Sequence, residues 1–209
     1  MRIRQQIRHY VHDTRLLKAC TGLCLSLSLM AGTALADWQL QPTDSSLTFT
    51  STKNVQITEA HSFTSLTGAV DSHGAAQISI ALASVETQVP IRNERLQVML
   101  FEAQTYPMAN ITANLTLDPM LALAVGQSMT QEITLTIDLH GISQTRATVL
   151  NVERQASTVF VVTNIEPLLI DVADFELVDG FQALREIAGL KSITPIVPVN
   201  FSLKFLQQP

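Results

Sequence analysis

The chain has 209 residues and a formal net charge of −5, from 13 basic and 18 acidic residues. Once an N-terminal leader is set aside, eight basic residues face seventeen acidic ones and no cysteine remains. That excludes electrostatic binding to nucleic acid or to an anionic membrane surface, and it excludes a fold held by disulfides.

The leader comes first in the chain. Arg2, Arg4, Arg8, Arg15 and Lys18 form a basic segment, residues 23–30 an apolar run, and Ala34-Leu35-Ala36 a small-residue cleavage site. The expected division is a signal peptide at 1–36 and one folded domain at 37–209, exported to the periplasm. The apolar run is too short to span a bilayer, so no stable membrane anchor is expected after cleavage. Cys20 and Cys24 do not follow a complete hydrophobic run, which argues against a lipoprotein. The remaining stretch of about 170 residues buries roughly 70% of its unfolded surface and needs no covalent staple.

From Asp37 the chain reads as short strands. Residues 38–40 and 47–52 come first, with Leu47 and Phe49 facing one way and Thr48 and Thr50 the other. A strand over 63–71 meets a turn at Ser72-His73-Gly74 and returns through 75–83, where Ile78, Ile80 and Leu82 alternate with polar or small residues. The stretch 91–107 breaks the pattern. Pro90 suits a first helical position and Leu96, Met99 and Leu100 follow at helical spacing, so a short amphipathic helix is expected, ending near Tyr106-Pro107. Helical spacing puts Arg92 on the apolar side of that helix, where an arginine needs a carboxylate or carbonyl partner.

Alternation resumes at Ile111, Ala113, Leu115 and Leu117, then at Ile133, Leu135, Ile137 and Leu139, with a turn at Gly141. A hairpin over 145–164 turns at Gln155-Ala156, a short helix is expected over 181–190, and residues 197–205 close the chain as a strand that Pro195 and Pro198 confine to an edge or bulged start. About eight strands without a composition break imply an all-β domain: a single antiparallel barrel with one or two short helices, or a sandwich with the same local pattern.

Chemistry is sparsely represented. His61, His73 and His140 form no spaced ligand pair, no serine sits in a nucleophile elbow, and no carboxylate pair is set apart as acid and base. Neither a metal nor a cofactor nor an enzymatic activity is expected. An eight-stranded barrel is wide enough to be filled by its own side chains or to hold one small ligand, and the mostly aliphatic inward faces would suit an apolar, elongated one.

Several stretches together resemble the YceI-like family of secreted and periplasmic bacterial proteins: Trp38 with Ser46-Leu47-Thr48-Phe49, Phe63-Thr64-Ser65-Leu66-Thr67-Gly68, Ser84-Val85-Glu86-Thr87, Arg92-Asn93-Glu94-Arg95-Leu96 through Tyr106-Pro107, Leu139-His140-Gly141, and Val197-Pro198-Val199-Asn200-Phe201. The resemblance implies a lipocalin-like barrel that holds an isoprenoid or similar amphiphilic lipid. Two positions depart from the family pattern: Asn93 stands where many members carry an acid, and Glu176 where many carry a glycine after Asp174-Phe175. On this reading Phe49, Phe63, Leu66, Leu96, Leu100, Phe101 and Phe160 line the pocket, with Arg92 and His61 at a polar mouth, although His61 also reads as a solvated loop histidine. The expected partner is an apolar isoprenoid-type ligand, with a homodimer left open. The alternative function is an envelope interaction module whose barrel is filled by its own side chains.

Overall fold

The computed structural model describes residues 38–209, so the expected leader lies outside the described residues. Twelve strand segments follow: β1 (Trp38–Leu40), β2 (Ser46–Lys53), β3 (Ile57–Phe63), β4 (Leu66–Val70), β5 (Ala75–Ala81), β6 (Val85–Glu86), β7 (Met108–Asn114), β8 (Ser128–Leu139), β9 (Ile142–Ala156), β10 (Val159–Asn164), β11 (Leu168–Asp171) and β12 (Ile196–Gln207). Pairing runs β1-β4-β5-β7-β8-β9-β10-β12, and β12 pairs back onto β1. This is a closed antiparallel barrel of eight strands.

The extra segments are halves of bent strands. β12 makes this plain: its C-terminal half pairs with β1 and β10, and its N-terminal half pairs with β2 and β11. β3 and β6 likewise continue β4 and β5, and they pair with each other. The break between β10 and β11 has a substitute for the lost ladder bonds. Asn164 stitches the gap between β10 and β11, its Oδ1 accepting from Phe201 N and its Nδ2 donating to Val199 O and Glu166 O. A side-chain amide there stands in for a peptide group, which gives these backbone groups partners where the ladder stops.

β3 was hidden in the sequence because its inward positions include Glu59 and His61, so no apolar alternation marks it. The expected continuation of alternation to Leu117 is corrected as well: β7 ends at Asn114, and Leu117–Leu121 forms helix α2. Pro119 falls in its first turn, where a missing N–H costs nothing. A further helix, α3, spans Val178–Ile187. With α1 (Pro90–Arg95), three short helices accompany the barrel among the described residues. α1 runs into a π turn at Leu96–Leu100 and the helical path stops there, earlier than Tyr106. Phe101 N bonds to Leu96 O, five residues back. The wider turn carries both Leu100 and Phe101 to the barrel interior.

α3 lies against that π turn. A Cβ on Gly180 would stand 2.1 Å from Met99 O, so only glycine allows the approach. Glu176, just before α3, has φ +54°. The conformation explains why a glycine suits this position and what its replacement by Glu176 costs locally.

Candidate functional site

Three adjoining chambers run along the barrel interior, lined throughout by aliphatic and aromatic side chains. The first, about 130 Å³, is walled by Phe49, Phe63, Leu100, Phe101, Ile170 and Val199, among others. The second, about 60 Å³, shares Leu47 and Ile111 with the first and continues between Ile78, Leu135 and Leu203. The third, about 30 Å³, shares Val70, Leu115, Val162 and Phe205 with the second and ends against Trp38, Phe160 and Met120. Along β12 the lining runs from Val197 to Phe205, about 27 Å at the usual strand rise. Together the chambers hold less space than the roughly 300 Å³ at which small-molecule pockets begin. A long tail would therefore enter by displacing side chains that now pack on one another.

Beside the first chamber the inward face changes character. In register, Leu47 pairs with Phe63, Phe49 with His61, and Ser51 with Glu59. The column thus passes from aliphatic to aromatic to charged. Glu59 Oε2 accepts from Lys53 Nζ at 2.5 Å and from Arg92 Nη1 at 2.6 Å, and Arg92 Nη2 donates to Thr87 O at 2.6 Å. The Lys53 hydrogen bond, aided by the charge of Arg92 and opposed by burial, holds the Glu59 carboxyl below its ordinary pKa. Asn93 Oδ1 accepts from Thr87 N and Oγ1, and its Nδ2 donates to Glu86. An acid at Asn93 could still accept from Thr87 but would face Glu86 with like charge.

His61 is not a loop histidine. It lies in β3 and is 6% exposed, with Nε2 2.9 Å from Ser51 Oγ and its ring 5.2 Å from that of Phe49. Burial, with Arg92 close by, lowers its pKa from the ordinary 6.5, so the imidazole is neutral at pH 7. Its Nδ1 and the Nε of Arg92 are buried without a hydrogen-bond partner.

Of the residues expected to line a pocket, Phe49, Phe63, Leu100 and Phe101 meet around the first chamber, and Phe160 stands at the far end of the third. Leu66 and Leu96 are buried core residues that line none of these chambers. Arg92 and His61 meet through the Glu59 cluster, beside the first chamber rather than in its wall. β12 supplies a wall that the expected pocket residues do not include, although Val197, Val199, Phe201, Leu203 and Phe205 alternate in the sequence. Leu168, Ile170, Val172 and Leu177 carried no such signal, because they come from a short strand and the turn after it.

The YceI-like domain matches residues 38–205, nearly all of the described chain. The chain belongs to the YceI-like family. A solved structure of a polyisoprenoid-binding domain from Saccharophagus degradans, implicated in plant cell wall breakdown, is 39% identical with a TM-score of 0.81, covering 83% of this chain and 99% of its own. More distant similar folds are those of Burkholderia cenocepacia BcnA, at 19% identity and TM-score 0.61 over 79% of this chain and 98% of that one, and of the Campylobacter jejuni YceI protein, at 17% and 0.54 over 76% and 91%. These two share the fold alone. No curated protein matches the chain.

Proposed function

We propose that this YceI-like chain is a periplasmic binding and carrier protein for an isoprenoid or similar long amphiphile, acting by binding rather than by catalysis. The observation that carries the reading is the line of three wholly apolar chambers ending beside a charged cluster. The tail lies along the barrel axis, where each buried methylene contributes about 0.8 kcal/mol. The polar head sits at the end where Arg92, Lys53, Glu59 and His61 meet, within reach of N–H donors that hydrocarbon would leave unsatisfied. The Saccharophagus degradans relative, described as polyisoprenoid-binding, supports the tail chemistry. Export is proposed from the basic segment, apolar run and Ala34-Leu35-Ala36 that the sequence carries within residues 1–36.

A second reading is favoured by the modest free volume: a barrel filled by its own side chains that serves as an envelope interaction module. Native mass spectrometry of protein purified from periplasm, followed by solvent extraction, separates the two. The carrier reading expects a defined isoprenoid at about one per chain, as a barrel this narrow allows. An unliganded mass, unchanged after incubation with isoprenoid quinones and polyprenyl phosphates, overturns it in favour of the filled barrel.

A further inference from the structure

We infer that α2 is a stop that sets the length of tail the barrel accepts. The inference rests on the binding reading above and adds a determinant of specificity to it. Length selection needs two fixed ends. One is the Glu59 cluster, beyond which hydrocarbon would have to displace paired charges. The other is the floor of the third chamber, built by Leu117, Met120 and Leu121 of α2 under Trp38 and Phe160. Met120 is 6% exposed and Leu121 is 41% exposed, so the floor is one helix thick, with solvent on its far side.

A five-residue helix does not hold itself together in water. This one is pinned from outside, chiefly by Arg154 of β9. Its Nη1 donates to Leu121 O and Leu123 O, both at 2.8 Å, and its Nη2 donates to Ser157 O at 2.9 Å. The guanidinium lies 5.5 Å from the centre of the Phe160 ring, which itself packs edge-on against Trp38. The Arg154 backbone also takes part, accepting from Gly126 N and donating to Gln127 O. On the incoming side Leu115 N donates to Gly74 O, and a Cβ on Gly74 would stand 2.1 Å from Leu115 O. α2 is thus fixed to the rim at both of its ends. The side chain that meets a tail from below is Met120.

The test is a ladder of all-trans prenols from farnesol to solanesol, stepping by one isoprene unit, titrated into the purified chain. In the wild type, affinity climbs with each added isoprene unit, by less than the roughly fourfold per methylene of unopposed burial because packed side chains are displaced, then goes flat at a limiting length. Met120→Ala moves that limit outward by one isoprene unit and Met120→Leu leaves it in place. Should Met120→Ala fail to fold, Leu121→Ala at the part-exposed position is expected to shift the limit in the same direction. A ladder that climbs and flattens at the same length in every folded variant overturns the stop and leaves the carrier reading standing. A wild type that takes up no prenol of any length overturns both.

Discussion

The two ends of the barrel are built on the same alternation yet finish differently. At the β2–β3 end the inward column leaves Phe49 and His61 for Ser51, Glu59 and Lys53; α1 reaches it through Arg92, and α3 packs on the π turn that follows α1. At the other end the column stays apolar through Trp38, Phe160 and Phe205, and a single short helix closes it. Ion pairs tie down the first end. One arginine reading backbone carbonyls ties down the second. The comparison teaches that the barrel is polarised along its axis: paired charges flank the chambers at one end, and apolar side chains line them at the other.

The largest test of that contrast concerns two phenylalanines. Phe175, fully buried in the turn before α3, borders none of the three chambers, whereas Phe160 lines the third. Phe175→Ala is expected to cost about 3–5 kcal/mol of stability by urea unfolding, and adding prenol restores none of it. Phe160→Ala, beside existing space, costs toward the low end of that range and is partly restored by prenol. Equal losses with equal restoration would show that the two ends do not differ in this way.

A smaller effect separates the ion pairs. Glu59→Gln leaves Arg92 and Lys53 without a counter-charge and should cost about 1–2 kcal/mol, discounted because the Glu59 side chain is 37% exposed. The Lys204–Asp44 pair, at 2.9 Å and 31% and 55% exposed, lies in the solvated rim near β1. There Lys204→Met should cost no more than about 0.5 kcal/mol. A double-mutant cycle giving Glu59–Arg92 and Lys204–Asp44 the same coupling would reduce the first cluster to ordinary surface charge.

The smallest expected effect is on pH dependence. The unfolded chain protonates His61 near pH 6.5, while the buried ring resists the proton. The unfolded state therefore binds more protons below that pH, so stability is full above about 6.5 and declines as the pH falls. Glu59 acts with the same sign lower down: its contribution is present above about 4.5 and is lost as pH falls through its depressed native pKa. His61→Gln should flatten the stability profile between pH 7.5 and 5.5 and leave the Glu59 limb intact. An unchanged slope over that interval would mean that another group carries it.

Much of this was legible beforehand, and what was not has identifiable causes. The hairpin at Ser72-His73-Gly74, the long β8–β9 pair and the closing strand all announce themselves through period-two alternation and turn residues. Arg92 was expected to need a carboxylate or carbonyl partner because of its helical position, and it has one of each. Glu59 escaped notice because a charged inward position looks like a solvated one until the strand opposite is known. α2 escaped because Leu115 and Leu117 continue the alternation of β7 past the point where the chain turns into a helix.

The amino-acid sequence determined the local grammar: which residues face inward wherever apolar and polar positions alternate, where most of the turns fall, and that the interior would be mostly apolar. Those properties depend on neighbours one to four residues away, so the periodicity of side chains carries them. Tertiary structure alone decided that β12 would close the barrel against β1 and β2. It also decided that Lys53, Glu59 and Arg92 would meet, and that Arg154 would hold a helix over the third chamber. These depend on contacts between residues far apart in the chain, and no local period encodes which distant strand supplies the partner.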